Sequence, residues 1–551
     1  MTETVLTCDV AVIGSGSAAL AAALTASAAG LSTLILEKTA KLGGTTALSG
    51  AGTWVPANHH MAAAGIADTP EDALAYIRAV APPGWRETED ALWQSLVEAA
   101  PKMLAFLEAS TPLRFELTQD PDPLPDLPGA RDFGRMLSPA PLSRRILGRQ
   151  RRRLRPPMLT HLFTYQEIQA LDVFHHPWRA ALRIWPRLLC RLMTGRRGNG
   201  TALVTGLLKG CIDRGCAIET EARVFQLMID PQGVVTGCLA ELDGKRARIE
   251  ARHGVVIATG GFEWDANRRE VHFPGPTDFL TSPSGNSGDG HRMAEAAGAA
   301  LAHMGEANLS AGAPFRYEGA LQGISLYLHR EPNTIVVDAA GRRFANEHDF
   351  NFSETLDARE AATGAPLHLP AWLISDTALL KRLPILGKAA RLKSGWLRAA
   401  PTIEQLAEGI GLPIEALAAS VERFNGFAAR GADAEFGRES SGRAIGRRRA
   451  RKTLEPILAA PFIAIPFNRS FVSTKGGPRT DASGAVLRPD GSRIDGLYCA
   501  GVAMANPIGT RAVGAGTTIG PNLTWGYICG RSIVERSRRN PSSNPQPGDR
   551  T

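Results

Sequence analysis

The chain opens on an apolar block, Asp9 to Ile13, then turns through small residues from Gly14 to Ala19. An alanine- and leucine-rich stretch from Leu20 to Gly30 leads into a second apolar block, Ser32 to Glu37. Short continuous apolar blocks on either side of an alanine-rich stretch predict strand, helix, strand. Similar blocks recur far downstream, at Gly254 to Ala258 before the turn Thr259-Gly260-Gly261, and at Gly496 to Ala500 before Gly501, with a helix expected from about Thr518. Between them lie short strands such as Asn333 to Asp338 and helices such as Glu415 to Ala429. The pattern predicts an α/β domain assembled from residues 1–280 and 461–536, with 281–460 inserted as an α+β cap. The polar stretch 537–551 is expected to be a disordered tail, and no internal repeat is present.

Two segments break this rhythm. Thr111 to Pro157, with DPDPLPDLPG and then an arginine run, predicts an irregular surface excursion. From Thr160 to Met193 a helical pattern carries Tyr165, Phe174, Trp178 and Trp185. It is expected to pack over a neighbouring domain, with peripheral membrane association as the alternative.

A length of 551 residues implies more than one core, and 44% hydrophobic with 21% charged residues is ordinary for a globular chain. No apolar run is long enough to span a bilayer, and the N-terminus lacks a secretory pattern, so a cytoplasmic location is expected. The net charge of +8 concentrates in Arg144 to Arg155, Arg443 to Lys452 and from Arg536 onward. With no nucleic-acid module beside them, these runs read as solvated loops and tail, and no nucleic-acid partner is expected. Cys8, Cys190, Cys211, Cys216, Cys238, Cys499 and Cys529 are scattered without CxxC pairs. They predict core thiols and no metal site.

The chemistry begins at Asp9-Val-Ala-Val-Ile-Gly14-Ser15-Gly16-Ser-Ala-Ala19, a G-x-G-x-x-A turn between strand and helix. Gly14 permits the tight turn, Gly16 lets a pyrophosphate approach the backbone, and Ala19 lets helix and strand pack closely. Glu37 closes the next strand 23 residues later, where an acid binds ribose hydroxyls. The following Leu42-Gly43-Gly44-Thr45-Thr46-Ala47-Leu48-Ser49-Gly50-Ala51-Gly52 supplies small residues and hydroxyls on which a flat ring could rest. These features predict a Rossmann-type nucleotide-binding domain.

Together with Ala258-Thr259-Gly260-Gly261, Ser287-Gly288-Asp289-Gly290, Gly341-Arg342-Arg343-Phe344-Ala345-Asn346-Glu347, Thr474-Lys475-Gly476-Gly477 and Gly496-Leu497-Tyr498-Cys499-Ala500-Gly501, these motifs stand in an order that resembles the fumarate reductase and 3-ketosteroid Δ1-dehydrogenase flavoproteins. Gly514-Ala515-Gly516-Thr517-Thr518-Ile519-Gly520-Pro521 is most similar to the ketosteroid dehydrogenase branch. The resemblance, which spans nearly the whole chain, implies FAD held along the Rossmann domain and substrate sandwiched under the cap. By the same resemblance Lys38, Val224, Thr259, Gly260, Asp289, Gly501, Thr517, Thr518 and Ile519 join the cofactor-binding set.

In that branch a tyrosine hydroxyl and a glycine amide polarise a ketone while a second tyrosine removes the α-proton. The glycine falls on Gly516, but the tyrosine positions read Ala512 and Asn351, the histidine position Ser473, and the flavin-contacting polar position Val502. Candidate replacements are Arg511 for the carbonyl, with a loop salt bridge as its other reading, and Tyr165, Tyr317 or Tyr327 for a hydroxyl. His348 or Asp349 is a candidate base. The reading reached is an FAD-dependent dehydrogenase that introduces a C=C bond α,β to the ketone of a steroid-like or alicyclic small molecule. The electron acceptor would be a quinone, a carrier protein or oxygen. An ene-reductase of fumarate or urocanate type and a non-catalytic flavin-binding protein are the alternatives.

Overall fold

The computed structural model describes residues 4–443 and 452–539. At its centre Ala485–Leu487, Arg493–Cys499, Lys245–Ile257, Thr4–Ile13, Thr33–Glu37 and Ala217–Thr220 lie side by side in that order, so the sheet draws strands from both ends of the chain. The hairpin of Ala222–Ile229 and Val235–Leu242 completes eight strands. Parallel pairing sets Ile13 opposite both Leu36 and Ile257, and Ile257 opposite Cys499. The carboxyl ends of four strands therefore finish level, on the edge where open parallel sheets bind ligands. Burial on both faces explains why these strands read as unbroken apolar runs.

Helix Ser17–Ala28 is buried from Ser17 to Ser27 between this sheet and the C-terminal helix Ile519–Arg539. The two helices meet through small residues: a Cβ on Gly526 would lie 2.2 Å from the Ala18 carbonyl oxygen, and one on Gly530 2.8 Å from that of Ala22. Alanine and glycine at the crossing let the backbones approach.

The inserted unit is built on a four-stranded antiparallel sheet in the order Ile335–Val337, Trp372–Asp376, Phe462–Pro466, Arg398–Ala400, so it takes a strand from beyond the boundary expected at 460. Alternation along these strands splits its core: Leu373, Ile463 and Ile465 face one apolar cluster, Ile374 and Ala464 the other. Helix Ile414–Arg430 covers the second face with Leu417, Val421 and Phe424.

Four sequence expectations change. The excursion 111–157 contains strands Phe115–Leu117, Met136–Pro139 and Leu142–Ser143 and the 3₁₀ stretch Arg144–Arg152. Met136–Pro139 is buried and pairs with both Thr53–Trp54 and Phe115–Leu117, because the proline-dense part is confined to the loop before it. The helical pattern 160–193 is three short helices, Tyr165–Leu171, Pro177–Arg183 and Trp185–Thr194, broken where Asp172 turns left-handed and where Pro177 and Pro186 enter. Three of its four aromatic residues do not pack over a domain: Phe174, Trp178 and Trp185 are exposed, Trp178 by 83% and Trp185 by 59%, and Tyr165 alone turns inward. Cys190, on the last of these helices, is exposed, whereas the other six cysteines are buried. The C-terminal helix runs to Arg539, into the stretch expected to be disordered, with Arg536, Arg538 and Arg539 in its last turn. Residues 540–551 and most of the basic run after Arg443 lie outside the described residues. No helix among the described residues is long and apolar enough to cross a membrane.

Candidate active site

At the level ends of the central strands lies an open cleft. Gly14, Ser15 and Gly16 line it from the first turn, Glu37 and Lys38 from the end of the second strand, and Gly44, Thr45 and Thr46 from the following loop. Val224, Thr259, Gly260, Asp289 and Gly501 complete the predicted residues brought there. Gly14 has φ 113°, and a Cβ on it would lie 2.3 Å from the Ala258 carbonyl oxygen, so this turn admits only glycine. Above Gly16 the nearest atom to such a Cβ is Thr46 Oγ1, 3.7 Å away, leaving bare backbone facing open space. Ala19 lies behind the wall, fully buried in its helix.

A polar lattice fixes the loops around the cleft. Ser15 Oγ donates to Glu37 Oε2 at 2.6 Å and accepts from the Gly43 amide at 3.0 Å, tying the first turn to the acid and the glycine loop. Thr46 Oγ1 accepts from the Ser17 amide at 3.0 Å, and Ser49 Oγ donates to the Thr46 carbonyl at 2.8 Å. Lys38 is ion-paired with Asp289 at 2.7 Å, a strap across one wall.

Among the cleft residues that the sequence does not single out, three carry polar side chains of note. Asn286 donates to Thr45 Oγ1 at 3.0 Å and to the buried carboxylate of Glu263 at 2.7 Å; its one signal is the neighbouring Ser287-Gly288-Asp289-Gly290 motif. Arg155 lines the cleft and donates to Thr39 Oγ1 at 2.9 Å, hidden in sequence within an arginine run. Asn522 enters from the first turn of the C-terminal helix.

On two residues that line this cleft, the side-chain oxygens Thr259 Oγ1 and Asn522 Oδ1 are buried without a hydrogen-bond partner among the described residues. Such atoms need a ligand partner or water to offset desolvation. With bare backbone at Gly16 and Gly44 and a carboxylate at Glu37, the wall fits a dinucleotide such as FAD: a diphosphate on the backbone and hydroxyls on the acid.

Beyond the cleft the glycine loop continues to the second half of the site. A Cβ on Gly50 would lie 3.2 Å from Tyr165 Cδ2, and one on Gly52 3.8 Å from Gly516 Cα. Gly516 has φ 84°, a Cβ there would lie 2.8 Å from the Trp54 nitrogen, and its carbonyl accepts from the Trp54 amide at 3.2 Å. The Thr517 hydroxyl donates to the Gly514 carbonyl at 2.7 Å, Thr518 Oγ1 accepts from Asn308 at 3.3 Å, and Ile519 opens the C-terminal helix.

The two positions that lack tyrosine touch each other. Asn351 Nδ2 donates to the Ala512 carbonyl at 3.2 Å and its Oδ1 accepts from the Ala512 amide at 2.9 Å, so Asn351 clamps the cap to the C-terminal loop instead of doing proton chemistry. Arg511 is likewise corrected. Its guanidinium holds Glu354 in two contacts of 2.8 and 2.7 Å, the salt-bridge reading of that residue. His348 is not a base facing substrate, for its Nε2 accepts from Arg438 at 2.9 Å inside the cap. Burial, with Arg438 beside it, pushes its pKa down to about 2. Asp349 turns back on its own loop, accepting from the Asn351 amide at 2.9 Å.

Of the tyrosines, Tyr317 is spent on the Pro156 carbonyl at 2.6 Å. Tyr165 alone packs on the glycine loop; its hydroxyl meets Asp120 at 3.2 Å, and burial, reinforced by Asp120, pushes its pKa up. Tyr327 is 64% exposed and carries the Arg330 guanidinium 4.8 Å above its ring. Arg330 Nε is buried without a hydrogen-bond partner among the described residues.

Comparison with known proteins agrees with this geometry. A family model described as an FAD binding domain matches residues 9–519. The chain is 37% identical to 4-oxocyclohexanecarboxylate 2-dehydrogenase of Sinomonas cyclohexanicum, over 96% of this chain and 93% of that one. It is 33% identical to 3-oxosteroid 1-dehydrogenase of Mycobacterium tuberculosis, over 96% and 98%. The crystal structure of 3-ketosteroid Δ1-dehydrogenase from Sterolibacterium denitrificans, in complex with 1,4-androstadiene-3,17-dione, superposes with a TM-score of 0.85 at 30% identity, covering 96% of this chain and 99% of that one. With the fingerprint turn at the head of the cleft, a family match that spans it and relatives aligned over nearly the whole chain, the chain belongs to the FAD binding domain family and is an FAD-dependent oxidoreductase.

Proposed function

We propose that this enzyme removes two hydrogens from adjacent ring carbons α and β to a ketone, and that its substrate is an alicyclic keto acid in preference to a steroid. The observation that carries the reading is convergence on one short loop: Gly516, immediately before the C-terminal helix, packs on Gly52, and Tyr165 packs on Gly50. FAD, when bound, supplies the two-electron hydride acceptor. The residues Gly516 to Ile519 present backbone amides and the positive end of the helix dipole, which stabilise negative charge developing on a carbonyl oxygen. Tyr165 takes the α-proton at its hydroxyl oxygen and passes its own proton to Asp120, the carboxylate already in contact.

Arg330 sets the substrate class. Its half-buried guanidinium, with Nε buried and unpartnered among the described residues, seeks an anion, and Phe350 and Tyr327 flank it beside the Asn351 clamp. A ring ketone bearing a carboxylate satisfies it, in keeping with the name of the Sinomonas relative. The reductase alternative is disfavoured because Arg511, its carboxylate clamp, is committed to Glu354.

The test is turnover of 4-oxocyclohexanecarboxylate with a dye acceptor, followed by mass spectrometry. A product two hydrogens lighter is expected. Arg330→Met should raise KM for this acid about tenfold or more while leaving cyclohexanone turnover nearly unchanged. Equal effects on both substrates would remove the keto-acid assignment, and no product from any saturated ketone would remove the dehydrogenase reading.

A further inference from the structure

Outside the cleft, the segment from Pro141 to Gly200 holds thirteen arginines and two acids, an excess larger than the +8 of the whole chain. Both acids are engaged: Glu167 holds Arg191 at 2.5 and 2.9 Å, and Asp172 holds His175 at 2.6 Å. In helix Trp185–Thr194 the exposed apolar residues are Trp185, Leu189, Leu192 and Met193, at positions i, i+4, i+7 and i+8 on one face. Arg191 on the other side is buried against Glu167 and the Leu162 carbonyl. The helix thus turns one arginine to the protein, leaves Arg187 in solvent and presents its apolar face to the outside, unlike an ordinary surface helix. Helix Pro177–Arg183 adds Trp178 at 83% and Leu182 at 74% exposure.

Beside this face, Arg144, Arg145, Arg151, Arg152 and Arg197 line one depression together with Leu192, and no carboxylate lines it. Burial and the nearby Arg144 hold the Arg197 pKa below its usual value, the mark of crowded like charge. His175 ties the segment to Glu331 of the cap at 2.9 Å.

We propose that this surface docks the enzyme on a bilayer containing anionic phospholipid, with Trp178, Leu182, Trp185, Leu189, Leu192 and Met193 entering the acyl boundary and the five clustered arginines taking lipid phosphates. Apolar and cationic demands are met together only by such a partner. A second copy would bring arginine against arginine, and a nucleic acid would leave the leucines and Met193 in water.

The test uses the full-length holoenzyme and sedimentation with vesicles of phosphatidylcholine, alone or doped with phosphatidylglycerol. Cys190, the one exposed cysteine, carries an environment-sensitive fluorophore on the docking helix. Co-sedimentation with the doped vesicles and a blue shift of the label are expected, with binding at least about tenfold weaker to phosphatidylcholine alone. Trp178→Asp with Trp185→Asp, and separately Arg151→Glu with Arg152→Glu, should each weaken binding by about tenfold or more, leaving flavin absorbance and dye-coupled turnover unchanged. Failure to bind doped vesicles, or equal binding by both variants, overturns the proposal. So does a dimer abolished by the tryptophan variant, or tight binding of an oligonucleotide duplex, without vesicle binding.

Discussion

A methyl group on Gly14 would meet the Ala258 carbonyl at 2.3 Å in a backbone conformation that already excludes side chains. Gly14→Ala should therefore purify with little flavin, read as the ratio of visible to ultraviolet absorbance; full occupancy would contradict the placement of the phosphates at this turn. At Tyr165 the expected loss is chemical: Tyr165→Phe should lower turnover by about 10²-fold or more with the flavin spectrum intact. An unchanged rate would move the proton chemistry elsewhere. Residues of this kind differ in how far a sequence shows them. Gly14 and Glu37 are legible because one spacing serves one geometry. Tyr165 is not, since its proximity to Gly50 depends on a chain path through 111–164 that no local pattern encodes. His348 and Arg511 carry suitable chemistry in sequence, and only their partners, Arg438 and Glu354, reveal that it is already committed.

Among elements, four of the five parallel strands and their helix were readable because full burial makes continuous apolar runs, whereas Ala217–Thr220, half exposed, gives none. The three-stranded sheet holding Met136–Pro139 was not, because its partners Thr53–Trp54 and Phe115–Leu117 lie far apart in sequence and each is very short. Helix crossing at Gly526 is testable directly: Gly526→Leu, whose Cβ would lie 2.2 Å from the Ala18 carbonyl, should cost about 3 kcal/mol, seen as a lowered melting temperature. The cap has its own signature in acid. His348 binds its proton only near pH 2 when folded but near 6.5 when unfolded. The unfolded state therefore holds more protons between these values, and stability falls as pH drops below 6.5, by about 1.4 kcal/mol per pH unit from this residue. His348→Gln should flatten the dependence of the urea midpoint on pH by that amount between pH 6 and 4; parallel curves would refute the buried neutral imidazole.

At the scale of the whole molecule, a domain closed from both ends of the chain sets the C-terminal helix against the N-terminal one and so brings Gly516 to the glycine loop. That closure was readable from the order of the apolar blocks, whereas the exposure of Trp178 and Trp185 was not, since an amphipathic pattern does not say which side meets protein. The central claim is that hydride leaves a saturated ring ketone for the cofactor held in the cleft. Anaerobic stopped-flow absorbance of the purified holoenzyme tests it most directly. Mixing with 4-oxocyclohexanecarboxylate should bleach the oxidised flavin band in a single turnover, Tyr165→Phe should slow that bleaching by about 10²-fold, and an unsaturated product should appear in equal amount. A flavin band that stays oxidised with every saturated ketone, while dithionite-reduced enzyme is reoxidised by an enoate, would contradict the account.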